Sequence, residues 1–449
     1  MSVGFVRLPL MSILSELSER VPGRTFGPGS NEYDDGRTVF YGPGDPEAVI
    51  RPTTADEVAA AVRAAADADV PISVRSGGHG SMPATEGIVI DLAEFDDVEL
   101  LDDGLVRVGA GAHWGDVAAF LAPHGLGITS GDTLDVGVGG LALGGGIGWL
   151  VRTHGLTVDL VREIEVVTAA GAVVTANAEF RSDLFWALRG GGGNFGIATR
   201  FTLQATPVAG LVGGHVHFDK SDVGAVLHAW RDITLASPDE LNSTLLVMPE
   251  LMPEMPSGPQ LAVALLGTEE ELRRLLEPLL SLPSVTEVSL GPIEYGDLLE
   301  AAPPGQPPFR FVGGNGFVPD VSDELLGAAQ RAYESGVPTM VMLRALGGAF
   351  SRVAPEATPI AFRDAQAFFL VNSVLPLDAS DEQVAAVMHD LAEPIGFTTG
   401  RYSNFTQVAG DDVLAEIYPP ATLARLRAVK AEFDPGDVFR PMHHIAPAS

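Results

Sequence analysis

A glycine pair placed directly after a short strand most constrains what this chain can fold into. Residues 70–74 alternate polar and apolar side chains, which predicts a strand, and Gly77 and Gly78 follow closely. Consecutive glycines let the backbone turn with positive φ and leave N–H groups bare. Such N–H groups form an anion site suited to a pyrophosphate, so His79 would stand beside the molecule that carries the phosphates. The candidate ligand-binding residues of this loop are Arg75, Ser76, Gly77, Gly78, His79 and Gly80.

A second glycine-dense segment spans residues 131–150. Each interior glycine costs a helix about 1 kcal/mol relative to alanine, so this segment is predicted not to form a stable helix. Flexible linkers are polar, whereas this stretch interleaves its glycines with Val, Leu, Ile and Trp. We therefore expect its backbone to lie close to a flat ring system. The candidate contact residues are Thr133, Val136, Gly137, Gly139, Gly140, Gly144, Gly145 and Gly148.

A third segment, residues 183–199, combines a short helical pattern with a run of glycines. Leu184, Phe185 and Leu188 have helical spacing, and the glycines that follow predict where the helix ends. The backbone after the glycines is expected to lie against the same ligand. The candidate residues there are Asn194, Gly196 and Ile197.

Together with the C-terminal run 423–439, these three segments resemble the berberine-bridge-enzyme-like FAD-linked oxidases. These belong to the vanillyl-alcohol-oxidase superfamily, which has a PCMH-type FAD-binding domain. The resemblance covers residues 40–205 and 400–445, and it departs from the family at Asp437, where Asn is usual. It implies FAD bound covalently, with His79 joined to the 8α-methyl group. Bicovalent relatives add a cysteine link at the position of Thr133, so this cysteine-free chain is expected to attach flavin through His79 alone.

The resemblance also implies an α+β fold in which a PCMH-type FAD-binding domain of two α/β subdomains accompanies a substrate domain. The expected division is an N-terminal segment 1–40, the FAD-binding domain 41–207, the substrate-binding domain 208–399 and a C-terminal return 400–449. In the substrate domain, patterning predicts an antiparallel sheet with helices on one face. Its predicted strands are 214–218, 243–249, 260–266, 340–346 and 366–374, its predicted helices are 221–236, 268–281, 323–334 and 380–394, and proline-rich 303–309 and 353–359 are predicted loops over the active site.

Composition excludes several classes of function. The absence of cysteine excludes disulfides, cysteine-ligated zinc and iron–sulfur clusters. A net charge of −32 provides no basic patch for nucleic acid or anionic lipid. The longest uncharged stretch, residues 136–151, is too short and glycine-rich for a membrane span, and no signal peptide is expected. The expectation is a cytoplasmic monomer or homodimer that binds a small-molecule substrate and dioxygen.

The catalytic base is where the chain departs from the family. The family's Tyr-x-Asn-aromatic motif reads Tyr402-Ser403-Asn404-Phe405, and Phe405 has no proton acceptor. The other positions that hold a base in the family fall on the apolar Phe369 and Val371. Tyr402 remains as candidate base, Arg344 as a positive neighbour or substrate-anion ligand, and Asn404 as a substrate-orienting group. Each of the three also has a purely structural interpretation.

The expected reaction is hydride transfer from a small, hydrophobic or aromatic metabolite to the covalent flavin, with dioxygen as acceptor giving hydrogen peroxide. Alternatives are a flavin-containing drug-binding or resistance protein and a dehydrogenase that reacts poorly with dioxygen. A nicotinamide fingerprint at 137–142, with Asp159 following, is a further alternative, although Gly144, Gly145 and Gly146 disfavour the helix it needs. His215 and His217 have metal-like spacing but no evident third ligand, so no metal site is expected.

Overall fold

The computed structural model describes residues 10–80, 82–251, 256–302 and 307–448. Expectations for residues 1–9 and for most of the proline-rich segment at 303 lie outside these ranges. The first sheet has four strands, with a parallel centre formed by Ala48–Ile50, Ile88–Asp91 and Ile72–Arg75. Strand Thr25–Phe26 pairs antiparallel at its edge, and the hairpin Thr38–Val39 and Gly42–Pro43 lies nearby in sequence.

The second sheet has five antiparallel strands and shares one hydrophobic core with the first. Its strands, in spatial order, are Val173–Asn177, Val161–Val167, Ile197–Gln204, Leu105–Gly109 and Val98–Leu100. A further short pair joins Thr206–Pro207 to Leu126–Gly127. The α-helices in this half are Leu10–Arg20, Asn31–Gly36, Ala55–Ala68, Trp114–Leu121, Val138–Gly144, Val151–His154, Thr157–Leu160 and Ser182–Leu188.

The third sheet has seven antiparallel strands, and the five predicted strands are all present. Their bounds, in spatial order from the second strand, are Leu211–Phe218, Gly258–Leu266, Leu241–Met248, Thr339–Ala345 and Ala367–Pro376. Two edge strands, Val285–Pro292 and Phe309–Val318, were not predicted. The first is largely exposed and so lacks a clear apolar alternation, and the glycines within the second resemble a loop.

Helices cover one face of this sheet, as predicted, and enclose a second hydrophobic core. They are Val223–Ala236, Glu269–Leu275, Glu277–Leu280, Asp323–Tyr333 and Asp381–Ile395. The single helix predicted over 268–281 is broken at Leu276, because Pro278 starts a new helical turn. The other face of the sheet looks toward the glycine-rich segments. This antiparallel sheet and the mixed helices confirm the α+β class.

The chain returns to the first half through helices Asp411–Ile417 and Pro420–Phe433, and Ala349–Arg352 forms one further short helix. The Pro420–Phe433 helix packs against Ser182–Leu188, so the closing segment reaches the third glycine-rich segment. Within the described residues, no helix has the length and apolar character needed to cross a membrane.

Candidate active site

The first two glycine-rich segments touch each other back to back. A Cβ on Gly77 would lie 2.3 Å from the Gly137 nitrogen, and a Cβ on Gly137 would lie 2.1 Å from the Gly77 nitrogen. Gly78 has φ of 75°, and a Cβ on it would lie 2.9 Å from the Arg75 guanidinium. Close approach of loop to loop therefore explains glycine at 77 and 137, without a contact to a ligand.

The side chains of Arg75 and Ser76 hold this loop to the protein. Arg75 pairs with the fully buried Asp91 at 3.1 Å and donates to the Thr38 carbonyl, while Ser76 Oγ donates to the Ala110 carbonyl at 2.6 Å. These two side chains were predicted to bind the cofactor, but they face the scaffold. No described residue accepts a hydrogen bond from the backbone N–H groups of Gly77, Gly78, His79 and Gly80.

His79 is half-buried at the end of the loop and stacks on Phe40, with ring centroids 5.7 Å apart and an 18° interplanar angle. Burial lowers the pKa of His79; Asp135 raises it, while His113 and Arg75 lower it further. The imidazole is therefore neutral near pH 7, which is the form with a free lone pair. A neutral imidazole is the nucleophile that a covalent histidyl linkage requires.

The second glycine-rich segment contains a helix, Val138–Gly144, so the prediction that it would not form one is wrong. The Val138 and Gly139 N–H groups donate to the Ala112 and Ala110 carbonyls, and Val138 is buried in the first core. These tertiary contacts outweigh the low helix propensity of glycine. Gly140 differs from its neighbours, because a Cβ there would meet no atom within 4 Å.

Most other glycines of the segment are required by protein packing. A Cβ on Gly144 would lie 1.9 Å from Asn404 Oδ1, one on Gly145 2.5 Å from Ile360, and one on Gly148 1.8 Å from the Ser130 carbonyl. A Cβ on Gly139 would lie 3.0 Å from the Ala110 carbonyl. The remaining two candidates also have protein partners: Thr133 forms a parallel bridge with Glu300, and the Val136 carbonyl accepts from the Trp114 N–H.

Asn194 ties the third segment to the C-terminus. Its Nδ2 donates to the Gly191 and His443 carbonyls, and its Oδ1 accepts from the Ile445 N–H. The side chain predicted to bind cofactor is thus an internal anchor. Gly196 and Ile197 follow it as buried residues at the start of a strand.

Lys430 is a site residue that sequence reasoning missed. Its ammonium is fully buried and donates to the Asn194 carbonyl at 2.9 Å, Asp434 Oδ2 at 2.6 Å and the Phe439 carbonyl at 2.6 Å. It is one of two lysines in an arginine-rich chain, which is the one signal that could have singled it out. This network fixes the closing turn on the Asn194 loop.

Tyr402 is buried, and its hydroxyl accepts hydrogen bonds from the Gly146 N–H at 2.8 Å and from Asn404 Nδ2 at 2.9 Å. Asn404 also donates to the Leu141 carbonyl. Burial raises the pKa of Tyr402 to about 12, although both donors and a weak influence from Arg344 lower it. The environment therefore keeps the phenol protonated at neutral pH, so any action of Tyr402 as a base depends on a small phenolate population that grows with pH.

Arg344 is occupied by protein partners. It pairs with Asp132 at 2.7 Å, donates to Thr244 at 2.8 Å, and lies over the Trp149 ring at 5.0 Å. It links the seven-stranded sheet to the second glycine-rich segment. The charge of Arg344 is therefore paired in this structure, and its role as a ligand for a substrate anion stays a prediction.

The two positions expected from the family resemblance to hold a base lie on the helix-covered face of the sheet, away from Tyr402. Phe369 and Val371 are buried beneath the helices in the second core. Their neighbours Phe368 and Leu370 face Tyr402 instead, in a separate core with Phe317 and Ile360. Met340, Met342 and Phe362 pack against that core, so the face toward Tyr402 is apolar as well.

A buried ion pair fastens the loop beside Tyr402. Arg363 donates to both carboxylate oxygens of Asp159, at 2.8 and 2.9 Å, and also to the Ile360 carbonyl and Thr358. Asp159 therefore has a structural partner rather than a ribose hydroxyl. A nicotinamide site is excluded here, since the Val138–Gly144 helix does not follow a strand of a parallel βαβ unit.

His215 and His217 lie on one face of their strand, opposite Ser289 and Glu287. Across the part of the chain that the structure describes, no group of three or more His, Cys, Asp or Glu side chains could hold a metal ion.

The residues present fit a flavin dinucleotide. Open space faces the Cβ positions of Gly80, Gly140, Gly192 and Gly193, one or more in each glycine-rich segment. The Gly77–Gly80 loop presents backbone donors suited to a pyrophosphate, and the neutral His79 adjoins them.

Comparisons with known proteins agree with this geometry. A family described as "FAD binding domain" matches residues 46–177. The FAD-linked oxidoreductase YgaK of Bacillus subtilis (strain 168) is 31% identical over 398 residues, covering 84% of this chain and 86% of YgaK. The chain is a berberine-bridge-enzyme-like FAD-linked oxidoreductase.

Two solved structures show the same architecture. The structure of BBE-like 1 from Physcomitrella patens superposes with a TM-score of 0.85 and 25% identity. The match covers 98% of this chain and 99% of the BBE-like 1 chain. Glucooligosaccharide oxidase from Acremonium strictum covers 98%, with 100% of its own chain matched, a TM-score of 0.84 and 24% identity, which bears on the fold alone. The FAD of the Acremonium enzyme is described as 6-S-cysteinyl, 8α-N1-histidyl.

Proposed function

We propose that this FAD-linked oxidoreductase is an oxidase of a small hydrophobic or aromatic molecule, with flavin bonded covalently through His79 alone. The observation that carries the substrate class is the apolar face of the seven-stranded sheet around Tyr402. Bound FAD would supply hydride acceptance, and the hydride together with the substrate's O–H proton would leave as hydrogen peroxide when dioxygen is the electron acceptor.

The strand register defines this face. Phe317 lies opposite Phe368, and Leu370 lies opposite Met342, which in turn lies opposite Leu246. Phe405, beside Phe368 at 5.6 Å between ring centroids, is 43% exposed and borders the open side. Phe317, Phe368 and Leu370 are buried within this row, and the partly exposed Met342 and the exposed Phe405 border it with thioether and phenyl surface. Recognition of an oligosaccharide would instead require several convergent polar groups. The substrate proposed here therefore differs from the oligosaccharide named for the Acremonium relative.

The nearby polar groups are already engaged. Asn315 donates to the Phe405 carbonyl and Thr406 and accepts from the Tyr402 N–H, and Arg344 is paired with Asp132. The hydrogen-bonded pair Tyr402–Asn404, in which Asn404 is exposed, is proposed to meet the reacting end of the substrate. Because the pKa of Tyr402 is about 12, its neutral hydroxyl is suited to orienting a substrate oxygen as well as to exchanging a proton.

The single covalent bond is supported by two features. The chain has no cysteine, so it lacks the sulfur of the second bond named for the Acremonium enzyme. His79 stands in the loop that resembles the family's attachment loop, and its lowered pKa leaves a neutral nucleophile.

The test is anaerobic mixing of the purified flavoprotein with matched panels of benzylic alcohols and reducing oligosaccharides. We expect benzylic alcohols to bleach the flavin band, and peroxide to form after air is admitted. Met342→Gln, which places an amide on the apolar row, should weaken reduction by the alcohols. Met388→Gln is the control, because Met388 lies in the helix Asp381–Ile395 and packs against the second core, on the opposite face of the sheet. Faster bleaching by oligosaccharides would contradict the proposed substrate class.

A second candidate function is flavin-dependent binding without turnover. It is favoured by the raised pKa of Tyr402 together with the apolar Phe368 and Leu370 at the positions facing it. The same experiment separates the two, because a ligand that is bound and not oxidised shifts the flavin band without bleaching it.

A further inference from the structure

His443 occupies a defined place between two turns at the flavin cradle. Its carbonyl accepts a hydrogen bond from Asn194 Nδ2 at 3.0 Å, and the following Ile445 N–H donates to Asn194 Oδ1 at 2.9 Å. The Lys430 ammonium donates a hydrogen bond to the Asn194 carbonyl. The backbone of His443 is therefore fixed to the third glycine-rich segment.

The hydrogen bonds of the ring determine its tautomer. Nε2 lies 3.2 Å from the Ser403 carbonyl and 3.1 Å from the Thr406 carbonyl. Carbonyl oxygens only accept, so Nε2 carries the hydrogen. Burial lowers the pKa of His443, although the two carbonyls raise it, and the ring is neutral. Nδ1 is then a lone-pair acceptor.

Nδ1 is buried and has no hydrogen-bond partner among the described residues. Buried acceptors in native proteins almost always have a donor, and leaving one unpaired weakens the native state. The polar side chain nearest in the network, Asn194, already uses its amide on Gly191, His443 and Ile445. Among the described residues no donor reaches Nδ1, so a group on a bound molecule would complete the hydrogen bonds of the ring.

The surroundings indicate which molecule supplies it. The Gly192–Asn194 turn and the Ser403–Phe405 turn both pack against the Val138–Gly144 helix, which carries the open Gly140. His443 joins these two turns, through its carbonyl to Asn194 and through Nε2 to the Ser403 and Thr406 carbonyls. We propose that Nδ1 of His443 accepts a hydrogen bond from an N–H or O–H group of the bound flavin.

Two flavin groups have this chemistry, a ring N–H and a ribityl hydroxyl, and they differ in what they affect. A bond to the ring changes the relative stability of oxidised and reduced flavin, so its loss shifts the reduction potential. A bond to the ribityl chain holds both redox states equally, and its loss changes affinity alone. The proposal rests on flavin binding and is independent of the proposed substrate.

Two substitutions separate the nitrogens of His443. In His443→Gln the amide nitrogen can replace Nε2 and keep the bonds to Ser403 and Thr406, while the Nδ1 acceptor is lost. In His443→Asn the amide oxygen can replace Nδ1, while the contact to the 403–406 turn is lost. His444→Gln is the matched control, because the neighbouring His444 pairs with Asp437 through Nε2.

Affinity is measured by titrating FAD into each variant in a His79→Ala background, and potential by dye equilibration of the covalent proteins. We expect His443→Gln to weaken FAD binding about fivefold to tenfold, which is the usual effect of one neutral hydrogen bond. His443→Asn and His444→Gln should stay within about twofold. A potential shift confined to His443→Gln identifies the ring N–H, and unchanged potential identifies the ribityl hydroxyl.

Equal affinity in all three variants, or a loss in His443→Asn as large as in His443→Gln, would overturn the proposal and leave His443 a purely structural tie. If the protein did not bind flavin at all, both the wild-type protein and His444→Gln would lack bound flavin, which is a different outcome.

Discussion

Breaking the Asp159–Arg363 pair is expected to destabilise the protein strongly and to loosen the loop beside Tyr402. Arg363 and Asp159 side chains are 1% and 8% exposed, so Arg363→Met would leave a carboxylate in a dry site. Removing one partner of a buried pair typically costs about 3–5 kcal/mol, because the remaining charge is uncompensated. The same substitution also removes the hydrogen bonds that Arg363 makes to Ile360 and Thr358.

Two features move the expected value toward the lower end of that range. The Leu156 N–H still donates to Asp159 after the substitution, and Arg189 lies within electrostatic reach of the carboxylate. We therefore expect a loss of about 3 kcal/mol for Arg363→Met. For a cooperative unit of about 200 residues this lowers the melting temperature by about 6–12 °C.

The assay is thermal and denaturant unfolding of wild type, Arg363→Met, Asp159→Leu and the double variant Asp159→Leu/Arg363→Met. The double variant should be more stable than either single variant, since no buried charge remains in it. Arg352→Met is the control, because Arg352 makes an exposed pair with Asp239. A loss below about 1 kcal/mol for Arg363→Met, or strict additivity in the double variant, would refute the reasoning.

Three further predictions concern the flavin and the proton. Acid-precipitated wild-type protein should stay yellow and His79→Ala should release its flavin; a colourless wild-type precipitate contradicts covalent attachment. Gly140→Val should lose flavin with little loss of fold, because a Cβ added at Gly140 faces open space. Gly145→Val should also lose stability, since Gly145 has φ of 131° and an added Cβ would lie 2.5 Å from Ile360. Full flavin occupancy in Gly140→Val would show that Gly140 does not contact the flavin. Tyr402→Phe should slow flavin reduction about 10²–10⁴-fold. The wild-type reduction rate should keep rising with pH through pH 9, because the phenolate population of Tyr402 grows until the pKa of about 12. A plateau near neutral pH, or an unchanged rate in Tyr402→Phe, would show that another group accepts the substrate proton.

Much of the architecture could be predicted because it follows local periodicity. Alternation identified the five central strands of the large sheet, and helical spacing identified the helices that cover it. The two edge strands were not predicted from the sequence. Val285–Pro292 is largely exposed and so lacks apolar alternation, and Phe309–Val318 contains glycines, which an edge strand tolerates.

The sequence by itself determined the family, the three glycine-rich segments and the absence of any thiol chemistry. Only the tertiary structure decided what each side chain does. Asp132 and Arg344 are separated by 212 positions, and Asp159 and Arg363 by 204, so no spacing rule connects them. Arg75, Ser76 and Asn194 carry groups that could serve a cofactor, yet they bond to the protein because folding brings Asp91, Ala110 and His443 within reach. Periodicity reports neighbours along the chain, whereas the partners of a buried charge are set by which segments the fold packs together.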